Sequence, residues 1–333
     1  MCGIGGIRRF GGPPIEEYQI RGLLLSLRNR GSDATGVAVA NDDGIHVYKK
    51  DDQAWKFVSD PGYDEFMSRT LPTAWIALVH TRAATQGSSR KNENNHPVYA
   101  GVSAVVHNGI IHNDGTLFTG NEYERKAEVD SDILRAMADK HGLTKKAIRQ
   151  FDRLTGSVAA AIIHPDHKGE FMLLRSGSPL VLASTQDQLI WASTKEAIHQ
   201  AMRPWVARWG LWFQETKPSV GWLPMEDDRA WLFGPEGLQW FDNFKACVRY
   251  FQPTYTRKDW KEKQQRLNAQ VEEKKVIGTP TEENFLDGIK FVICPKVGCR
   301  MRVEIPDHLM QLELKNLKCR ACGTNLAKAA EKA

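Results

Sequence analysis

Nine short apolar runs, four to eight residues long and bounded by Gly, Asn, Asp or Pro, limit what this chain can fold into. They cover residues 3–10, 35–40, 45–49, 74–80, 102–107, 157–164, 171–175, 180–183 and 189–192. These are strand lengths, and none approaches the ~18 uninterrupted apolar residues of a membrane span. Apolar residues at helical spacing mark 15–28, 130–140, 144–151 and 194–202. Strands in runs, with helices between the runs, predict stacked α+β layers rather than a regular βαβ alternation. The first ten residues, MCGIGGIRRF, lack the basic-then-apolar pattern of a secretory signal, so a cytoplasmic location is expected.

The chain of 333 residues has room for a large domain and a small one, and the carboxy-terminal part differs in kind. Residues 257–275 are dense in charge, with Trp260, Leu267 and Val271 as a sparse apolar face, and read as an exposed helix or linker. Beyond it, residues 289–333 hold nine Lys/Arg against four Asp/Glu, which accounts for the whole net charge of +5. Four of the six cysteines lie there, as Cys294-Pro-Lys-Val-Gly-Cys299 and Cys319-Arg-Ala-Cys322. Two cysteine pairs on glycine-containing turns can place four thiolates at tetrahedral corners, and the pattern resembles a zinc ribbon. Four thiolates leave no open coordination position, so the expected Zn2+ is structural, stapling a module too small to fold on its own core. The basic excess suits weak nucleic-acid contact; a docking module for a partner enzyme fits equally well. Cys247 reads as a buried small hydrophobe. Six tryptophans between 205 and 240 read as core, with an apolar surface that receives a partner as the alternative.

At the other end, a cysteine at position 2 carries a chemical option. A small second residue permits removal of Met1, which leaves Cys2 with a free α-amine. That amine, with a reference pKa of about 7.7–8.0, can take the proton of its own thiol. Four further segments recur at turns and strand ends: Arg30-Gly-Ser-Asp33, His80-Thr-Arg82 with Thr85 after it, His107-Asn-Gly109, and Asp130-Ser-Asp132. Taken singly they read as a helix stop, a strand end, a hairpin turn and a helix N-cap. His80, His96 and His107 read as structural histidines bonded to backbone.

In this order the five segments resemble the glutaminase domain of class II glutamine amidotransferases, which are N-terminal-nucleophile hydrolases. The resemblance covers roughly residues 2–245. It implies a four-layer αββα sandwich, with domain bounds of 2–248 for the glutaminase, 249–288 for a charged helical linker and 289–326 for the zinc ribbon. It also implies roles. Cys2 attacks the glutamine side-chain amide; the Asn108 side chain and Gly109 N–H form the oxyanion hole. Arg82 pairs with the substrate α-carboxylate, Asp130 holds the α-ammonium, Thr85 adds a hydroxyl contact, and Arg30 supports the nucleophile. Ala83 departs from the aromatic residue many members carry after the arginine. The polar stretch 86–95 suits a loop that closes over substrate, or an ordinary solvated connection.

The family's acceptor domains are larger than the 86 residues after Cys247, and no GxxxxGK[ST] motif appears. The expected function is therefore an amidotransferase subunit that passes ammonia to a partner enzyme in trans, nucleobase modification being one class of acceptor. The rival readings are an N-terminal-cysteine amidohydrolase on another amide, and an inactive scaffold serving a zinc-ribbon binding protein.

Overall fold

The computed structural model describes residues 1–120, 122–202, 221–223 and 225–246, together with the backbone of 289–293 and 302–306. In chain order the elements are β1 (Gly3–Arg9), α1 (Glu17–Leu27), β2 (Ala34–Asn41), β3 (Gly44–Lys50), α2 (Ala54–Phe57), α3 (Pro61–Thr70), β4 (Ile76–Arg82) and β5 (Val98–Tyr99). They continue as β6 (Ala104–Ile111), α4 (Asp114–Thr119), α5 (Asp132–His141), α6 (Lys145–Phe151), β7 (Gly156–Ile163), β8 (Phe171–Ser176), β9 (Val181–Ser184), β10 (Gln188–Ala192) and α7 (Lys195–Met202). β11 (Gly221–Leu223), β12 (Arg229–Gly234), β13 (Gly237–Asn243), β14 (Ile289–Ile293) and β15 (Arg302–Pro306) follow. Among the described residues no helix is long and apolar enough to cross a membrane.

Two antiparallel sheets form the body, in the orders β11-β9-β10-β1-β4-β2-β3 and β13-β12-β8-β7-β6-β5. Successive strand residues point to opposite faces, so a strand that is apolar throughout must be covered on both sides. β2 sends Val37 and Val39 into a core shared with α1 and α7, and Ala38 and Ala40 into a second core between the sheets. β7 does the same in the other sheet: Val158, Ala160 and Ile162 pack with α5 and α6, while Ala159, Ala161 and Ile163 face the first sheet. The result is helix, sheet, sheet, helix, the mixed fold of two antiparallel sheets that an N-terminal-nucleophile sandwich requires.

All nine expected strands and four expected helices form, with ends shifted by a few residues. Three differences are informative. Helix α3 starts at Asp60-Pro61-Gly62, a turn-like triplet, but the Asp60 side chain accepts from Gly62 N at 2.7 Å and proline suits the first helical turn. His107-Asn108-Gly109 is no hairpin turn; it lies inside β6, which runs on to Ile111. Of the tryptophans, Trp231 is core, whereas Trp222 on edge strand β11 is exposed. Trp205, Trp209, Trp212, Cys247 and the 249–288 linker lie outside the described residues.

The chain divides into two units, Met1–Tyr250 and Phe251–Ala333. In the second, β14 and β15 pair antiparallel from Ile293↔Arg302 to Ile289↔Pro306. The segment joining them, 294–301, carries Cys294 and Cys299; these, with Cys319 and Cys322, lie outside the described residues.

Between the sheets, Trp191, Phe171 and Phe233 stack in sequence at 4.7 and 5.0 Å, linking β10 to β8 and β12. Phe171 is fully buried at the centre of the stack. Phe171→Ala is expected to lower unfolding stability by about 3–5 kcal/mol, measured as a shift in the urea midpoint at constant m-value.

Candidate active site

The site is built where β1 meets β4. Their register pairs Gly3 with Thr81, which brings Cys2 beside the end of β4. There the Ala83 N–H points at the Cys2 sulfur (3.4 Å), and the thiol reaches the Ala83 carbonyl (3.6 Å). The segment 30–33 wraps this junction. Arg30 Nε donates to the Cys2 carbonyl at 2.9 Å. Gly31 lies flat on the Arg82 peptide, where a Cβ would sit 2.3 Å from the Arg82 carbonyl carbon, so no other residue fits. Asp33 N donates to Arg82 O at 2.9 Å, and its carboxylate accepts from Ala84 N at 2.7 Å. A stretch that reads as a helix stop is thus the clamp that fixes both strand ends.

Opposite Cys2 stands β6. Gly109 has φ +146°, and a Cβ there would lie 1.9 Å from Ser157 O, so only glycine fits that point of the strand. Asp130 does not cap α5; one of its oxygens accepts from Ile111 N at 2.7 Å and the other from Ser131 Oγ at 3.2 Å. Asp132 accepts from Lys126 N and Ala127 N and pairs with Arg135 at 2.5 Å, fully buried. The Asp-Ser-Asp segment is therefore a pair of tie-points that hold the turn before α5.

These elements enclose a pocket of about 260 Å³, counted with its mouth, walled by Cys2, Arg82, Thr85, Gly109 and Asp130, with His96, His107 and Ser131 alongside. Five of the expected site residues thus meet in one place. Two take other positions. Arg30 lies behind Cys2 on its carbonyl and does not line the pocket. Asn108 is buried next to Gly109 without being part of the wall, and its amide makes no hydrogen bond among the described residues. Among the described residues no group of histidines, cysteines and carboxylates has the make-up of a metal site.

Arg82 is buried and partly committed: Nη1 donates to Asn95 Oδ1 (2.9 Å), and Nη2 to Gln86 O (2.6 Å) and Gly87 O (2.8 Å). A guanidinium has five N–H groups, so two remain for a ligand. The polar stretch 86–95 is braced from within, since Asn94 and Asn95 donate to Ser88 O and Ser89 O. Asn95 and Ser131 escaped the sequence reading. Their one signal is adjacency to His96 and Asp130.

Burial raises the Cys2 thiol above its ordinary pKa, with the Ala83 N–H and nearby positive charge opposing it. At neutral pH the sulfur is a thiol, so nucleophilic attack needs a base at hand. The three histidines cannot serve as cations. Burial pushes His80 down to about 3, His96 well below the usual range, and His107 in the same direction. His80 Nε2 bonds His107 O (3.0 Å) and its ring stacks on His96 (4.1 Å). His107 Nδ1 meets Ser131 Oγ at 2.8 Å. On the other side of the ring, His107 Nε2 meets Ser157 O at 3.4 Å, and Ser131 Oγ also reaches Asp130, so the imidazole is held between the turn before α5 and the backbone of β7. The backbone-bonded reading holds for His80 and His107; neither ring nitrogen of His96 has a protein partner.

Residues 80–200 match the family model of the glutamine amidotransferase domain. The glutamine–fructose-6-phosphate aminotransferase of Acinetobacter baylyi is 33% identical over 191 residues, 55% of this chain and 29% of that protein. The enzyme of the same name from Methanosarcina mazei is 33% identical over 207 residues, 55% of this chain and 31% of its own length. The chain thus spans about a third of the length of the curated relatives it matches. Two solved structures share the fold over 74% of this chain and 50% of theirs. They are the B. subtilis glutamine phosphoribosylpyrophosphate amidotransferase complexed with ADP and GMP (TM-score 0.55, 17% identity) and one titled as the allosteric regulatory enzyme of purine biosynthesis (0.57, 18%). The sequence is thus similar to a glutamine amidotransferase domain, and the fold is shared with these amidotransferase structures.

A pH dependence follows from the histidines. Each is held neutral in the fold, whereas in the unfolded chain it binds a proton below about 6.5. The unfolded state therefore gains protons first on acidification. Stability is fully present above pH 6.5 and falls as pH drops toward the folded-state pKa, about 3 for His80. His80 contributes up to about 1.4 kcal/mol per pH unit over that window, and His96 and His107 act in the same direction. Urea midpoints at pH 7.5 and pH 5 check this, and His80→Asn is expected to flatten the difference.

Proposed function

We propose that this chain hydrolyses the side-chain amide of glutamine with Cys2 as nucleophile and supplies the ammonia to an acceptor-binding enzyme in trans. The observation that carries the reading is the pocket itself: a thiol, a guanidinium and a carboxylate, Cys2, Arg82 and Asp130, on the wall of one small cavity. A free amino acid offers an α-carboxylate to the guanidinium and an α-ammonium to the carboxylate, which leaves its side chain to meet the thiol.

In this mechanism Met1 is removed and the α-amine of Cys2 takes the thiol proton as sulfur attacks the amide carbon. The Gly109 N–H and the uncommitted Asn108 amide donate to the developing oxyanion, and Thr85 contributes a hydroxyl contact. The amine returns its proton to the leaving nitrogen, ammonia departs, and water hydrolyses the glutamyl thioester to glutamate. The raised thiol pKa fits this division of labour, because the proton leaves only when a base accepts it. Arg30 serves by holding the Cys2 carbonyl, which orients the residue that carries both thiol and amine. The relatives' names, aminotransferase and amidotransferase, fit an ammonia donor without naming this chain's acceptor; a nucleobase-modifying partner is the class that the basic carboxy-terminal module favours.

That module is read as a zinc ribbon in which Cys294, Cys299, Cys319 and Cys322 hold one Zn2+. Four thiolates are the donor set of a closed, structural site, and the paired strands β14 and β15 flank the segment that carries the first two. The metal would contribute folding free energy to this module and take no part in amide hydrolysis.

Intact-protein mass spectrometry tests the nucleophile. The Met1-free chain, incubated with a diazo-ketone analogue of glutamine, is expected to gain one adduct at Cys2 that excess glutamine blocks. The Met1-retaining chain should gain none and release no ammonia from glutamine. An adduct on another residue, or glutamine turnover with Met1 in place, would overturn the assignment. For the ribbon, elemental analysis is expected to find one zinc per chain, released by a mercurial and lost in Cys319→Ser.

A further inference from the structure

Lys49 lies near the end of β3, the edge strand of the first sheet, yet its ammonium points inward. It donates to the carbonyls of Asn95 (2.7 Å) and Pro97 (2.9 Å), the residues on either side of His96. Asn95 is fully buried, and its Oδ1 accepts from Arg82 Nη1 at 2.9 Å while its Nδ2 donates to Ser89 O at 2.7 Å. One ammonium therefore fixes the piece of backbone from which Arg82 is aimed. Two neighbouring carbonyls present concentrated negative dipole, and an apolar side chain at 49 would leave both without this donor. The arrangement is costly to the lysine: burial, together with the Arg82 charge, depresses its amine to about 8, with Glu93 and Asp132 opposing the shift.

We propose that Lys49 is a positioning residue for substrate recognition, holding the Asn95 and Pro97 carbonyls so that Asn95 orients Arg82 toward the substrate α-carboxylate. This rests on the proposed reading of Arg82 as the group that binds that carboxylate.

The test compares glutamine with 4-aminobutanamide, which keeps the amide and the ammonium but lacks the carboxylate. Ammonia release gives the ratio of kcat/KM for the two substrates in the Met1-free full-length enzyme. Lys49→Met is expected to lower this ratio about 10-fold, chiefly through KM for glutamine, because misaimed donors lose ground-state binding. Lys49→Arg, which can donate to both carbonyls, should keep the ratio within about 1.5-fold of the parent. If Met at 49 prevents folding, as judged by a missing thermal transition, Lys49→Gln with one donor site is used, with a drop of about 3-fold expected. Arg82→Gln is the reference. If it collapses the ratio while the Lys49 variants retain it, Lys49 is scaffold and the proposal is overturned. If Arg82→Gln itself leaves the ratio intact, the carboxylate reading falls and the proposal with it.

Discussion

β1 runs through the interior of its sheet, hydrogen-bonded to β10 on one side and β4 on the other, and it starts at the residue after Cys2. Everything around the pocket depends on that placement. A strand held on both edges cannot slide without breaking two ladders, so the position of Cys2 is set by the register of the whole sheet. The loop from Arg30 to Asp33 then needs only a few bonds to close the junction: one to the Cys2 carbonyl, two around Arg82 and Ala84. Cys2 and Arg82 stand at strand ends, and the connecting segments bring Thr85 and Asp130 to the same pocket.

The second layer of support is polar and buried. His80, His107, Ser131 and Asp130 form a chain of contacts from β4 through β6 to the turn before α5, and Arg82 is tied through Asn95 to a separate cluster. Buried polar groups left unpaired are expensive, so such chains have few alternative arrangements. The imidazoles in this chain stay neutral. Their contribution is geometric, and they add no positive charge beside Arg82.

Much of the fold was legible because period-two apolar strands covered on both faces leave runs such as Val158–Ile163 that admit few other readings. The five site segments were legible as a set through resemblance; four of them contribute to the wall of one pocket, and the fifth, 30–33, lies behind Cys2. Their local roles were not. Asp130 looked like a helix cap and binds a strand amide; Gly109 looked like a turn and sits within a strand; the segment from Arg30 to Asp33 looked like a helix stop and clamps two strand ends. Each depends on which backbone group a distant strand brings into range, and local spacing carries no information about that. Lys49 shows the limit most plainly, since its partners lie 46 and 48 residues further along the chain.

The two glycines described at the site have a practical consequence for anyone mapping this protein by random mutagenesis. Gly31 and Gly109 meet backbone atoms at distances no side chain survives, and both lie against the segments that carry the pocket residues. A survey scored on activity alone would rank them beside Cys2, although Gly31 lies outside the pocket wall and Gly109 offers the pocket only its backbone. An abundance readout run on the same library would separate the two kinds of position: loss at the glycines should accompany loss of folded protein, whereas loss at Cys2 should not.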